Sequence, residues 1–261
     1  MPAPNITRTA FKSGVRWYSL WTADGKYAGF ERHVVSAVSD GSATVETYSA
    51  FKTEGGTSEQ VATLAFGSGG ARLEAVRCQR DGAMTFQIRR NGDLFSGTWA
   101  GQPFSKVLPP DFLPNFGNAE WIATLPQEHR GLWGFSRLPM GSDTPAVAAV
   151  ECAGAEEVRV PAKSGLAWHY VERVGGKERN HWWVDSDRVV VKVQFGLEAR
   201  LEVSEAAAKT AHQTMARERL TAARGLGGGE SATRIVGSAS GVRPAGSPAT
   251  RPLKRPSDTP V

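Results

Sequence analysis

From residue 14 to residue 102 apolar and polar side chains alternate with a period of two, in short runs separated by glycine-containing bends. A period of two sends successive side chains to opposite faces of an extended chain, so each run predicts a half-buried β-strand. The runs are Val15–Thr22, Tyr27–Val38, Ala43–Phe51, Glu59–Phe66, Leu73–Arg80, Ala83–Arg90 and Asp93–Ala100. Asp24-Gly25, Asp40-Gly41, Asp81-Gly82 and Asn91-Gly92 read as type I′ hairpin turns, which need positive φ at both central residues.

The last three runs predict their own register. If Asp81-Gly82 is a two-residue loop, Met84 faces Gln79, Phe86 faces Arg77 and Ile88 faces Ala75. If Asn91-Gly92 is another, Ile88 faces Phe95, Met84 faces Trp99 and Arg90 faces Asp93. Both turns then put Met84, Phe86, Ile88, Phe95 and Trp99 on one face. Thr85, Gln87, Arg89, Ser96 and Thr98 take the other, with Leu94 the exception. A slip of one residue would turn the apolar face to water, so the agreement predicts an antiparallel meander.

Pro103, Pro109, Pro110, Pro114 and Pro126 then break the pattern, because proline fixes φ and lacks a backbone donor. Short helical turns near Asp111–Asn115 and Ala119–Thr124 are expected there, covering one end of the sheet. Strand patterns resume at Leu132–Leu138, Ala146–Ala153, Val158–Val160, Leu166–Val174, Glu178–Asp185, Val189–Phe195 and Glu198–Val203. A two-residue turn at Gly175-Gly176 pairs Glu172 with Arg179 and Arg173 with Glu178. It also sets Trp168 beside Trp183, His169 beside Trp182 and Tyr170 beside His181. In that register His169 and His181 point to opposite faces and share no metal.

Ser204 is placed to cap a helix, and Gly225 to Gly229 then open a stretch too poor in apolar side chains to offset ordering entropy. The expected organisation is a flexible N-terminus over 1–13, an antiparallel β domain over 14–204, a helix over 205–222 and a disordered basic tail over 223–261. The fold class is mostly β (α+β) with a few short helices.

Charge changes this picture little. The net charge is +5, but Arg224, Arg234, Arg243, Arg251, Lys254 and Arg255 face only Glu230 and Asp258 beyond residue 221. The sequence pI of 9.4 therefore belongs largely to the tail. Its charges are spaced out without interleaved aromatics, so a solubilising tail is read ahead of phosphate contact, and no specific nucleic-acid signal is seen. Eight Trp and eleven Phe supply a core. A body of roughly 215 residues buries about 70% of its unfolded surface and needs no cross-link. Cys78 and Cys152 lie far apart without a CxxC pattern, which predicts free buried thiols, with one disulfide as the alternative. No window approaches the ~20 apolar residues of a membrane helix. Met1-Pro2-Ala3-Pro4-Asn5 holds no apolar signal segment. As written the chain is expected in the cytoplasm, or in the periplasm or envelope if an export signal precedes it.

The richest chemistry is aromatic. Trp168-His169-Tyr170 with His181-Trp182-Trp183 reads either as a cross-strand ladder in the core or as the wall of an apolar pocket, and Trp17 and Trp21 read the same way. His33, His129 and His212 have no ligand-like spacing, so no metal is expected. Asp185-Ser186-Asp187 lacks the glycine and distant Glu of a calcium loop and is read as a hairpin turn. No G-x-S-x-G, Walker motif or G-x-G-x-x-G after a strand is present, so no catalytic residue and no cofactor is assigned.

Glu156-Glu157-Val158-Arg159-Val160-Pro161-Ala162, Trp168-His169-Tyr170-Val171-Glu172, His181-Trp182-Trp183-Val184-Asp185 and Arg188-Val189-Val190-Val191-Lys192-Val193 resemble the closing half of bacterial envelope domains related to the LolA/LolB-like lipoprotein-carrier fold. Trp17-Tyr18-Ser19-Leu20 followed by Gly25-Lys26-Tyr27-Ala28-Gly29 resembles their first hairpin. The likeness spans most of 14–204. It implies a strongly curved antiparallel sheet, or unclosed barrel, with helices against its concave side and an acyl chain or other apolar ligand inside. It brings no shared catalytic residues.

The leading expectation is a non-catalytic domain that binds an apolar or acyl-bearing ligand in a concave sheet, lined by Trp17, Trp21, Trp168 and Trp182. One alternative is a hydrolase using His and carboxylate groups at the sheet mouth. Another is an interaction module that meets an acidic partner through its basic tail.

Overall fold

The computed structural model describes residues 8–69, 72–114, 116–128, 130–138 and 144–213. The first alternating stretch forms strands β1 (Gly14–Thr22), β2 (Tyr27–Ala37), β3 (Ala43–Thr53), β4 (Gly56–Phe66), β5 (Leu73–Arg80), β6 (Ala83–Asn91) and β7 (Leu94–Trp99). An eighth strand follows, β8 (Gln102–Val107). It contains Pro103, which is tolerated because β8 is an edge strand. Then come β9 (Phe112–Pro114), α1 (Ala119–Ile122), β10 (Leu132–Leu138), β11 (Ala146–Val160), β12 (Lys163–Val174), β13 (Lys177–Asp185), β14 (Val190–Gln194) and β15 (Leu197–Glu202). A helix α2 covers residues 205–213, its start capped by Ser204, whose Oγ accepts the Ala207 N–H at 3.2 Å.

All fifteen strands among the described residues belong to one unclosed sheet, ordered β8-β7-β6-β5-β4-β3-β2-β1-β15-β14-β13-β12-β11-β10-β9. Every neighbouring pair is antiparallel except β9 with β10. The mostly β reading therefore holds. Two corrections concern β9, which replaces the helical turn expected over Asp111–Asn115, and β11, which runs unbroken where two strands were expected.

The meander face also holds: Phe86, Ile88, Phe95 and Trp99 are buried while Gln87, Arg89, Ser96 and Thr98 are exposed. Its register holds at Met84, which faces Gln79 as expected, and is shifted beyond it. Asp81 and Gly82 have φ of +50° and +78°, as a type I′ turn requires, but a bulge at Cys78/Gln79 then moves Phe86 opposite Cys78 and Ile88 opposite Val76. At the next hairpin Gly92 and Asp93 form the loop, so Arg90 faces Phe95 and Phe86 faces Trp99. The face survives because moving this turn by one residue shifts the pairing by two, a whole side-chain period.

The proline-rich stretch is the core filler of the curved sheet. Leu108, Phe112, Leu113, Trp121, Ile122 and Leu125 are each at most 2% exposed. Phe112 packs on Phe95 of β7, Phe116 on Phe86 of β6 and Trp121 on Phe135 of β10. Tyr170 of β12 donates its hydroxyl to Pro126 O at 2.9 Å. These partners come from strands far apart in the sheet and all from one of its faces, so that face is concave, with the side chains of Phe112, Phe116 and Trp121 inside it. This corrects the expectation that the segment covers one end of the sheet.

Residues 8–13, within the N-terminus expected to be flexible, also touch the core. Phe11 is buried against Phe66, and Arg8 lies over the Trp121 ring, 3.9 Å from its centroid. Cys78 and Cys152 are free and buried, and burial pushes the Cys78 thiol up to about 11. No helix among the described residues is long and apolar enough to cross a membrane. Residues 214–222 of the expected helix, the expected tail over 223–261 and His129 lie outside the described residues.

Candidate functional site

Strand register assembles the concave face into rows of cross-strand neighbours. One row is apolar: Trp182 faces Val193, Val193 faces Ala199, Ala199 faces Leu20, Leu20 faces Gly29, and Gly29 faces Phe51. The adjoining row is polar: Glu31 faces Ser49, Ser49 faces Gln60, and Gln60 faces Arg80. A third row holds Arg16, His33 and Thr47. Glu31, His33, Thr47 and Ser49 occupy inward positions of β2 and β3 that an apolar core would fill with Val or Leu.

Between these rows and the core-filling segment lies a cavity of about 410 Å³. Its walls include Leu20, Phe51, Trp182, Val193 and Leu197 on the apolar side and Glu31, His33, Ser49, Gln60 and Arg80 on the polar side. Phe116, Gly117, Asn118 and Ala119 reach it from the filling segment, and Arg137 and Asn180 from β10 and β13. Arg80 and Phe195 are exposed and mark the mouth.

The polar rows are charged but largely self-compensated. Glu120 on α1 accepts from Arg16 Nη1 at 2.8 Å and from His33 Nδ1 at 2.8 Å. His33 Nε2 donates to Glu31, whose other oxygen accepts from Ser49 Oγ at 2.6 Å. With a carboxylate at each ring nitrogen, both nitrogens must donate, so His33 is an imidazolium. Burial alone would lower its pKa, but Glu31 and Glu120 outweigh burial and raise it to about 9. Burial would raise the Glu31 pKa, and His33 with Ser49 outweighs it and holds Glu31 below the usual carboxylate range. Across the cavity Arg137 donates to the fully buried Glu172, which also accepts from Asn180 Nδ2.

The four tryptophans expected as lining are divided between the two faces. Trp182 lines the cavity, and Trp168 packs half-buried against the main core. Trp17 and Trp21 point from β1 to the convex side: Arg200 lies over Trp21, and Lys209 of α2 lies 6.0 Å from Trp17. Both alternate with Arg16, Tyr18 and Leu20, which face inward.

The β12–β13 hairpin corrects another expectation. Arg173 does face Glu178, but a bulge between Val171 and Arg173 lets Glu172 turn inward to Arg137. The shift sets His169 opposite Trp183 and Tyr170 opposite Trp182. His169 and His181 thus share the convex face, with His169 Nε2 and His181 Nδ1 3.0 Å apart and Trp183 stacked on His169 at 4.5 Å. Among the described residues no group of three or more His, Cys, Asp or Glu could hold a metal. Asp185 and Asp187 form a hairpin turn in which Lys163 Nζ bridges the two carboxylates at 2.8 and 3.1 Å.

No family model matches the chain, and no curated protein matches it. Among solved structures it resembles a β-barrel-like protein of the DUF1849 family of unknown function from Brucella abortus, at 7% identity and a TM-score of 0.50, over 74% of this chain and 96% of that one. A DUF1089 family protein from Pseudomonas aeruginosa is similar at 13% identity and a TM-score of 0.37, over 67% and 91% of the two chains. A putative exported protein with a YmcC-like fold from Bacteroides fragilis shares 14% identity at a TM-score of 0.29, over 76% and 98%. At these identities the likeness speaks to fold alone, and the first of the three supports a β-barrel-like architecture.

Proposed function

We propose that this protein is a non-catalytic binding domain that holds an apolar or acyl-bearing small molecule in the cavity on its concave face. One observation carries the reading: a space of about 410 Å³ with Trp182, Val193, Leu20 and Phe51, members of one cross-strand apolar row, along one wall. That volume suits a small organic ligand, and burying an apolar chain there contributes about 25 cal/mol per Å² removed from water. The sequence resemblance of most of 14–204 to lipoprotein-carrier domains favours the same reading.

Hydrolysis has less support. Among the described residues His33 is the histidine at the cavity, and both of its nitrogens donate to carboxylates, leaving no lone pair to take a proton. Ser49 donates to Glu31 rather than to an imidazole, so its oxygen is not activated as a nucleophile.

The test is titration of the full chain with cis-parinaric acid, read by energy transfer from tryptophan. Saturable uptake by the wild type is expected. Leu197→Trp, which fills the cavity from β15, should abolish uptake while the chain stays folded by circular dichroism. No uptake by the wild type, or unchanged uptake by the folded variant, defeats the proposal.

A further inference from the structure

We infer that the molecule held in this cavity is a monoanionic amphiphile, and that its carboxylate docks on Arg80 and Gln60 at the mouth. This rests on the cavity-binding reading above and specifies its ligand class.

Charge pairing around the cavity leads there. Arg16 and His33 are matched by Glu31 and Glu120, and Arg137 is matched by Glu172. Arg80 also lines the cavity, and among the described residues it contacts no carboxylate; its Nη2 donates instead to the neutral Gln60 Oε1 at 3.3 Å. The lining is thus left with one cation in excess, at its outer end.

Position agrees with charge. The guanidinium carbon of Arg80 lies 5.9 Å from the centroid of Phe51, where the apolar row ends. A chain lying along Trp182, Val193, Leu20 and Phe51 therefore brings its head to Arg80. The guanidinium fork has donors left for one carboxylate oxygen, and the Gln60 carboxamide, whose oxygen is engaged by Arg80, turns its NH2 to the other. Deeper in the cavity the same head would meet Glu31, which repels it. A neutral head gains only a hydrogen bond from Arg80 and no charge pairing, so acids are favoured over their esters.

The experiment is calorimetric titration of the full chain with dodecanoate and with methyl dodecanoate, in wild type and Arg80→Gln. Arg80 is exposed, so the variant should fold as the wild type does. The wild type should bind the acid about tenfold more tightly than the ester, and the preference should shrink at high salt. Arg80→Gln should lower acid affinity about tenfold, to near that of the ester, while ester affinity changes no more than about twofold. Equal affinities in the wild type overturn the inference while leaving the cavity reading intact. An acid preference that persists in Arg80→Gln overturns the assignment to Arg80. If neither compound binds the wild type, the cavity reading falls as well.

Discussion

His33 Nδ1 on β2 lies 2.8 Å from Glu120 Oε1 on α1, and this contact fastens the core-filling segment to the sheet that surrounds it. The same carboxylate takes Arg16 from β1, and all three side chains are at most 6% exposed. Desolvating such charges costs nearly as much as pairing them returns, so the cluster adds little net stability. What it supplies is position. A helix of four residues has too few internal bonds to hold itself, and Glu120 has its partners in only one placement of α1.

The histidine gives this cluster a pH window. The folded pKa of His33, about 9, lies above its unfolded value of roughly 6.5. The stability tied to its protonation, relative to a neutral ring in the same site, is therefore complete below about pH 6.5 and is lost as pH rises through about 9, on the order of 3 kcal/mol in all. Glu31 behaves oppositely: its folded pKa is depressed, so its contribution is present above its unfolded value and is lost as pH falls through the folded one. Urea midpoints against pH should show a plateau with a decline on the alkaline side. His33→Gln should remove that alkaline decline, and a decline of equal depth in the variant would refute the assignment.

Glu120→Gln tests the same cluster from the helix. The variant leaves two buried cations, Arg16 and His33, facing the one carboxylate of Glu31. Removing one member of a buried ion cluster costs about 3–5 kcal/mol. The expected result is a loss of that size in urea unfolding, with the alkaline decline moved to lower pH because His33 has lost a stabilising partner. Pairing the change with Arg16→Met should recover part of the loss. A single variant as stable as the wild type would show that Glu120 is not charged in the fold.

Residue alternation carried the strand layout far: Leu132–Leu138 appears with the ends its pattern implies, and the buried face of Phe86, Ile88, Phe95 and Trp99 follows from two turns alone. Registers were less legible, because the bulges at Cys78/Gln79 and Val171/Arg173 answer to tertiary demands. Glu172 leaves its hairpin pairing to reach Arg137, thirty-five residues earlier. Which face is concave depends on curvature between distant strands, so Trp17 and Trp21 could not be told from Trp182 by pattern. The charged cluster had left a trace. Glu31 and His33 share the inward phase of Val35, and Thr47 and Ser49 that of Val45, so polar residues sat where β2 and β3 should be apolar. Their partner Glu120 lay in a proline-broken stretch without periodicity, and no spacing rule joins it to His33.

Asn118 offers a smaller test. It precedes α1 at the N-cap position, but its side chain makes no capping bond and its buried Nδ2 has no hydrogen-bond partner among the described residues. Replacing a working N-cap costs roughly 1 kcal/mol, whereas an unsatisfied buried amide itself costs about 1–3 kcal/mol. Asn118→Ala should therefore leave the melting temperature unchanged or raise it. A drop worth more than about 1 kcal/mol would mean that the amide is bonded after all.

The apolar row passes through Gly29, and the absence of a side chain there is required by its neighbours. Gly29 has φ +152°, and a Cβ would stand 2.0 Å from Ala50 O and 2.8 Å from Phe51 Cα, both backbone atoms of the paired strand β3. Backbone cannot rotate aside as a side chain can, so Gly29→Ala must spread β2 from β3 where both line the cavity. A loss of at least about 3 kcal/mol is expected, far above the roughly 1 kcal/mol of an ordinary glycine replacement. Gly82→Ala is the control: its φ is +78°, with nothing within 4 Å of the added carbon, so only the conformational cost of about 1 kcal/mol applies. Urea unfolding of the two variants side by side separates crowding from conformation. Equal losses would mean that β2 and β3 do not approach as closely at Gly29 as the register requires, and the wall from Leu20 to Phe51 would then be interrupted.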